Sequence, residues 1–168
     1  MTQAEFLARI MRPAMHWTLI HGGIVSSLPA QRFLLAVAEQ ESACVHRAQV
    51  LSNGGAGPAR GFWQFEQGGG VKGVMSHPAS AMKARALCEA ASVRFETGAV
   101  WRALEGHDGL AYGFARLLLL TDPAAIPVEQ NAAWTCYAVR LWRPGKPHPD
   151  RWPSAWQTAG DCITTETA

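Results

Sequence analysis

A glycine-rich segment interrupts an otherwise helical sequence, and this contrast constrains the fold more than any other feature. Seven of the 16 glycines lie within residues 54–70, where their backbone freedom opposes a continuous helix. On both sides of this segment, apolar residues recur at helical spacing. No strand-like alternation of convincing length is present, so we expect a mainly α fold. The predicted helices cover residues 2–21, 29–42, 79–96, 108–121 and 129–142, with a short helix or tail at the end.

The length and composition fit one globular domain. The chain has 168 residues, of which 48% are apolar, enough to supply a core and too many for a disordered chain. We expect a single domain over residues 1–160 and a C-terminal tail over residues 161–168. The net charge is +2 and no basic run exceeds two residues, a pattern that argues against a nucleic-acid partner and is compatible with an anionic polymer.

The cysteines and histidines give no sign of a metal or redox site. The four cysteines are Cys44, Cys88, Cys136 and Cys162, and none of them forms a CxxC pair. A zinc ribbon and a thioredoxin motif are therefore excluded. We expect reduced thiols, and one or two disulfides stay open. The six histidines show no HExxH or paired spacing, so we predict neither a metal nor another cofactor.

No segment has the character of a signal peptide or a membrane span. The first 17 residues include charges and a proline and are typical of an amphipathic helix rather than a secretory leader. The apolar run at residues 117–120 follows Arg116 and is far too short to cross a bilayer. We therefore expect synthesis in a cytoplasm and no stable membrane association.

The strongest candidate for chemistry is a glutamate near the end of the second predicted helix. Glu41 lies one helical turn after Val37, on or beside the apolar stripe of that helix. An apolar wall raises the pKa of a carboxyl, so that the group stays protonated near neutral pH and serves as a general acid. Glu39 is an alternative on a different face of the helix. An ordinary surface role for Glu41 also stays open.

The second candidate segment comprises residues 61–66, at the end of the glycine cluster. Gln64 offers an amide to a substrate, and Glu66 offers a carboxylate that positions or deprotonates a water. The aromatic residues of the segment, Trp63 among them, either stack on a sugar or fill the core. Together with Glu41, this segment is typical of a cleft that cleaves glycosidic bonds.

Two short motifs carry a resemblance to a known group of enzymes. The pair Glu41-Ser42 is followed by the string Gly-Phe-Trp-Gln at residues 61–64. This combination resembles the goose-type lysozyme and lytic transglycosylase superfamily, whose members carry a helix ending in Glu-Ser and a Gly-Leu-Met-Gln loop. Phe-Trp replaces Leu-Met here, and both pairs are apolar. The strings at residues 57–78 and 142–149 are also similar to small phage and prophage peptidoglycan-degrading proteins.

The resemblance implies a single lysozyme-like domain with a glycine-rich active-site loop, which cleaves the β-1,4 bond between N-acetylmuramic acid and N-acetylglucosamine. It implies that Glu41 is the general acid, that Ser42 supports the nearby backbone or carboxylate, and that Gln64 touches the substrate or holds the loop. Trp63, in the same motif, is a further candidate for substrate binding. Glu66 stands where goose-type enzymes have an acid that serves the hydrolytic water, which favours an inverting hydrolase. A lytic transglycosylase, which needs no second acid, is the alternative.

A third motif of the superfamily, Ala-Tyr-Asn, has two possible counterparts. Tyr112 lies in Ala-Tyr-Gly, with glycine in place of asparagine. Tyr137 lies on a later helix, ahead of a cationic and proline-rich segment that includes Arg143 and Lys146. We favour Tyr137 for the site because that segment is suited to lining a cleft, and a packing role stays open for each tyrosine.

Three tryptophans bracket this proline-rich segment. Trp142, Trp152 and Trp156 either stack on sugar rings or pin a C-terminal strap to the core, and we favour the strap. The cations Arg143 and Lys146 are candidates to meet carboxylates of peptidoglycan.

The expected partner is the glycan strand of peptidoglycan. A monomer without a signal peptide fits a phage or prophage protein that is made in a bacterial host cytoplasm. It would act on the cell wall or periplasm as an endolysin, or from the virion. Two other functions stay open: a chitinase-like hydrolase, and a non-catalytic phage tail protein that keeps the lysozyme-like fold. Glu41 separates the enzymes from the structural protein, because only an enzyme depends on its acid. Activity on chitin oligomers would identify the chitinase-like hydrolase.

Overall fold

The computed structural model describes residues 1–164 and is mainly helical, as predicted. The helices are α1 (Gln3–Phe6), α2 (Arg12–Gly22), α3 (Leu28–Ser42), α4 (Lys72–Ser76), α5 (Ala81–Ala90), α6 (Thr97–Gly106), α7 (Asp108–Leu120), α8 (Gln130–Thr135) and α9 (Trp152–Thr164). Wider, π-helical segments at Leu7–Met11, Gln67–Val71 and Cys136–Leu141 adjoin α2, α4 and α8. Within residues 1–164, no helix is long and apolar enough to cross a bilayer.

Helix α3 runs through the hydrophobic core. Its start is well specified, because the Ser27 hydroxyl accepts a hydrogen bond from the Ala30 N–H and Pro29 occupies the first turn. All residues from 33 to 38 are fully buried, since α3 packs against both α7 and α9. The helix ends at Ser42, because the next residue, Ala43, adopts a left-handed φ of 51°. Packing in the core therefore fixes the axis of α3, and the conformation of Ala43 ends the helix.

The glycine-rich region forms a small antiparallel sheet, which the sequence did not predict. In the described residues the strands are β1 (Ala48–Val50), β2 (Ala56–Arg60) and β3 (Phe65–Glu66), in the order β1-β2-β3. Each is two to five residues long, too short for an alternating pattern to show. A Cβ at Gly57 would collide with the end of the Gln49 side chain, which would then have to move.

The predicted helix over residues 79–96 ends early, and a further helix, α6, follows it. The chain turns after α5 because Ser92 adopts a left-handed φ of 55° and the Val93 N–H bonds to the Cys88 carbonyl at 2.8 Å. Helix α6 then packs against β2. The Trp101 indole of α6 donates to the carbonyl of Pro58 at 2.7 Å. The missed helix therefore supports the sheet from one side.

The last helix, α9, packs along α3. Residues 161–164 of the predicted tail belong to this helix, and the rest of that tail lies outside the described residues. Trp152 and Trp156 are buried on α9, where they stack on each other with ring centroids 5.9 Å apart. These two tryptophans therefore pin the C-terminal strap, the segment between residues 141 and 152, to the core. This is the role that we favoured.

The four cysteines are free thiols. Cys44, Cys88 and Cys136 are buried, and Cys162 is partly buried. Burial raises the pKa of the Cys44 thiol and raises that of Cys88 to about 11. A buried thiol with a raised pKa stays protonated and is a poor nucleophile. These thiols therefore act as small apolar packing groups.

Replacing Gly61 with alanine tests the turn that leads from β2 to β3. Gly61 has a φ of 73°, and a Cβ there would lie 2.9 Å from the backbone oxygen of Leu104. Left-handed strain and this collision add, so we expect Gly61→Ala to lower the free energy of unfolding by about 2 kcal/mol or more. Urea unfolding measures the change. Gly106→Ala is the matched control, because a Cβ at Gly106 meets nothing within 4 Å, and an equal loss in both variants would contradict the prediction.

Candidate active site

An open cleft of about 1030 Å³ lies where the end of α3 meets the sheet. The glycine-rich segment after β3 and the strap that follows residue 141 form other parts of its wall. Of the seven residues that the motifs placed in the site, Glu41, Gln64, Glu66 and Tyr137 line this cleft, whereas Ser42, Trp63 and Tyr112 do not. Trp142, Arg143 and Lys146, which were also singled out from the sequence, line it as well.

The Glu41 carboxyl is the chemically unusual group of the cleft. Burial raises its pKa from 4.5 to about 7. The Tyr137 hydroxyl donates a hydrogen bond to Glu41 Oε1 at 2.6 Å, which opposes the rise, and the negative charge of Glu66 adds to it. Desolvation therefore outweighs the hydrogen bond. Glu41 therefore keeps its proton up to a much higher pH than an exposed glutamate does.

The end of α3 holds Glu41 at the cleft through its neighbours. Ser42 is buried, and its hydroxyl donates to the Ala38 carbonyl at 2.8 Å. Its hydroxyl therefore supports the helix backbone, one of the two roles that the resemblance implies, and Ser42 does not line the cleft. On the other side, the Gln40 amide donates to the His148 carbonyl at 2.9 Å. This bond ties the end of α3 to the strap.

Trp63 is a packing residue rather than a substrate contact. Its side chain is fully buried, and its indole N–H donates to the Leu34 carbonyl of α3 at 2.9 Å. The Trp63 carbonyl accepts a hydrogen bond from the indole of Trp142 at 3.0 Å. Trp63 therefore connects α3 to the strap from inside the core. Its ring fills the core, which is one of the two roles that the sequence left open, and it does not line the cleft as a substrate-binding residue would.

Tyr112 also lies in the core, away from the cleft. It is fully buried on α7, and its hydroxyl donates to the Ser26 hydroxyl at 2.6 Å. Its ring contacts that of Trp63 edge to face, with centroids 5.5 Å apart. Burial raises the pKa of Tyr112 to about 12. Of the two candidate tyrosines, Tyr137 is therefore the one at the site, and Tyr112 is not a substrate-binding residue.

The π-helical segment Cys136–Leu141 presents Tyr137 to the cleft. The Tyr137 ring stacks in parallel on Trp152 of α9, with centroids 5.3 Å apart and an interplanar angle of 2°. Burial and the neighbouring Glu41 carboxylate both raise the pKa of Tyr137, so its hydroxyl remains a donor. A π-helical turn widens a helix at one point and is often found at functional sites.

Gln64 and Glu66 occupy the sheet side of the cleft. Gln64 has a left-handed φ of 50°, and its side-chain amide donates to the Gly61 carbonyl at 2.9 Å and more weakly to the His46 carbonyl at 3.3 Å. This side chain holds the loop between β2 and β3, and holding the loop is one of its two predicted roles. Glu66 is exposed in β3 and lines the cleft.

Several cleft residues were missed by sequence reasoning. Lys72, Arg151, Gln40 and Gln49 line the cleft but belong to no motif. The bond between Gln40 and His148 joins residues 108 positions apart, so no local pattern could reveal it. Proximity of Lys72 to the glycine-rich turn is the one signal that sequence analysis could have used.

No protein-family model matches the chain, and neither a characterised protein nor a solved structure is detectably similar to it. Among residues 1–164, no three His, Cys, Asp or Glu side chains come together as metal ligands would. The two carboxyl groups that line the described cleft, those of Glu41 and Glu66, are suited to acid and base chemistry.

Replacing Tyr137 with phenylalanine tests the hydrogen bond at the centre of the cleft. The bond stabilises the Glu41 carboxylate, so its loss should move the pKa of Glu41 further above about 7. A carbon-13 NMR titration of the glutamate side-chain carboxyls measures this pKa. Tyr112→Phe removes a buried hydroxyl that bonds to Ser26 instead and should leave the pKa of Glu41 where it is. An unchanged pKa in Tyr137→Phe would contradict the assignment.

The raised pKa of Glu41 makes stability depend on pH. Because the folded state holds the Glu41 proton more tightly, stability is full below pH 4.5, falls as pH rises, and levels off above about pH 7. The loss attributable to Glu41 reaches about 3 kcal/mol. Glu41→Gln removes this dependence, so its stability relative to wild type should increase from pH 4.5 to pH 7. Urea unfolding at several pH values measures it, and parallel profiles for the two proteins would contradict the prediction.

Proposed function

We propose that the protein is a muramidase, which cleaves the β-1,4 bond between N-acetylmuramic acid and N-acetylglucosamine in peptidoglycan. The observation that carries the proposal is the Glu41 carboxyl, which has a pKa of about 7 and lies in the wall of an open cleft. A glycosidic oxygen is a poor leaving group until it is protonated, and a carboxyl with this pKa can supply the proton at neutral pH.

The proposed reaction uses both carboxyl groups of the cleft. Glu41 gives its proton to the oxygen that joins the two sugars, and the bond between that oxygen and C1 of N-acetylmuramic acid breaks. A water attacks C1 from the opposite face and gives its proton to Glu66. The products are a free 4-hydroxyl on N-acetylglucosamine and an N-acetylmuramic acid with a new reducing end. Proton exchange with solvent then restores both carboxyls.

Tyr137 would serve the reaction in two ways. Its hydroxyl, 2.6 Å from Glu41 Oε1, fixes the orientation of the carboxyl toward the cleft. The same hydrogen bond stabilises the carboxylate that remains after Glu41 has given up its proton. A donor that strengthens its bond as charge develops favours the transition state over the ground state. We therefore assign Tyr137 as the residue that positions the general acid.

The position of Glu66 favours hydrolysis over transglycosylation within this proposal. Its side chain is exposed in the same cleft, and its charge is near enough to raise the pKa of Glu41. An exposed carboxylate has ready access to water, whereas a lytic transglycosylase needs only the acid. A lysozyme-like domain belongs to the same proposal and is supported by a helix that ends in Glu-Ser beside a small antiparallel sheet. The proposed setting is a bacterial cell wall, reached as a phage endolysin or from a virion.

Mass spectrometry of fragments released from purified peptidoglycan tests the function. The wild-type protein should release muropeptides with reducing ends, and Glu41→Gln should lose about 10²- to 10⁴-fold in rate. Glu66→Gln should also slow the release. Glu39→Gln, a neighbouring acid outside the residues that line the cleft, is the matched control and should retain activity.

The other outcomes identify the alternatives. Anhydro-ended muropeptides, with Glu66→Gln fully active, would establish a lytic transglycosylase instead. Fragments released from chitin but not from peptidoglycan would establish a chitinase-like hydrolase. No fragments from the folded wild-type protein would reject an enzymatic function and leave a structural role.

A further inference from the structure

Four positively charged side chains line the cleft that contains Glu41. Lys72 comes from the start of α4, directly after the glycine-rich turn, whereas Arg143, Lys146 and Arg151 come from the strap between residues 141 and 152. All four are exposed. Two separate parts of the chain therefore bring cations to one cleft. We refer to these four residues as the cationic rim.

Within residues 1–164, no acid forms an ion pair with the cationic rim. None of its four members lies within ion-pair distance of an acid in the described residues, whereas Arg47, Arg60 and Arg140 all form ion pairs. The acids that line the described cleft are Glu41 and Glu66, so the four cations of the rim outnumber them. The cleft therefore carries a net positive charge, which attracts anionic groups.

The strap that carries most of the cationic rim is anchored rather than loosely attached. The Gln40 amide bonds to the His148 carbonyl at 2.9 Å, and the Trp142 indole bonds to the Trp63 carbonyl at 3.0 Å. Arg143 sits in this anchored strap with a left-handed φ of 47°, a conformation that surrounding structure must impose on a residue other than glycine. A fixed position for these cations lowers the entropy that binding would cost.

We propose that the cationic rim selects glycan strands that carry carboxylates over neutral glycans. This inference rests on the proposed function, since it concerns the same cleft and substrate. A chitin chain offers the rim no negative charge. A peptidoglycan strand offers carboxylates on its stem peptides, and a free lactyl carboxylate once those peptides are removed. Arginine and lysine beside the sugar-binding groove match carboxylates in either place.

Binding to a catalytically inactive variant tests the proposal without depending on turnover. The protein used is full-length Glu41→Gln, and the three ligands are a chitin hexamer, glycan strands stripped of their peptides, and glycan strands that keep them. Isothermal titration calorimetry gives each Kd. Carboxylate-bearing strands should bind more tightly than the chitin hexamer, and the difference should shrink at high salt because ions screen exposed charges. Comparing strands without peptides and strands with peptides distinguishes the lactyl carboxylate from the carboxylates of the peptides.

Charge-matched variants connect the effect to the cationic rim. In the Glu41→Gln protein, Lys72→Gln with Lys146→Gln should weaken binding of the carboxylate-bearing strands about 3- to 10-fold. The ratio between their affinity and that of the chitin hexamer should therefore fall. Arg9→Gln with Arg94→Gln removes the same charge at exposed positions outside the cleft lining. This control should leave the affinity ratio between carboxylate-bearing strands and chitin unchanged.

Two results would contradict selection by the cationic rim. One is equal affinity for neutral and carboxylate-bearing strands, and the other is an equal loss of affinity in both double variants. If strands bind selectively but the wild-type protein releases no fragments, the proposed enzymatic function fails and the anionic specificity of the cleft survives. If fragments form and all three ligands bind equally, the function survives and this inference fails.

Discussion

The hydrogen bond between the Tyr137 hydroxyl and the Glu41 carboxyl is the contact on which the cleft depends. It joins residues 96 positions apart and lies in surroundings that raise the pKa of the acid to about 7. A carboxyl in apolar surroundings is costly to ionise, and a single donor compensates for part of that cost. Helix α3 brings the acid, the π-helical segment brings the donor, and the Trp152 ring stacked on Tyr137 holds that donor in place.

The buried Glu41 carboxyl lowers the stability of the fold when it is ionised. Most of α3 is apolar and packs fully, but its last turn leaves the core at a residue that prefers to remain protonated. The same desolvation that weakens the fold above pH 4.5 keeps a proton available for transfer near neutral pH. A conflict between local preference and fold is common where a site does chemistry. The buried packing around α3 supplies the free energy that tolerates it.

The strap after residue 141 links this acid to the charge of the cleft. Gln40, next to the acid in sequence, holds the strap through the His148 backbone, and Trp142 holds it through the backbone of Trp63. Trp63 in turn bonds to α3 through the Leu34 carbonyl. The acid and the cations of the strap are therefore attached to one helix. A substrate bound between them would meet groups whose positions are fixed before it arrives, which is the arrangement that favours binding and proton transfer.

The sequence by itself indicated most of the helices, because their apolar spacing is local, although it missed α6. It also indicated Glu41 as the acid at the end of α3. It also brought Gln64 and Glu66 to notice, since both lie in one short segment. Only the tertiary structure decided between Tyr112 and Tyr137, because each lies in an apolar helix and the deciding partners, Ser26 and Glu41, are far away in sequence. The sheet and the cationic rim were decided in the same way. Strands of two to five residues carry too little periodicity, and unpaired charges become a cluster only when separate segments fold together.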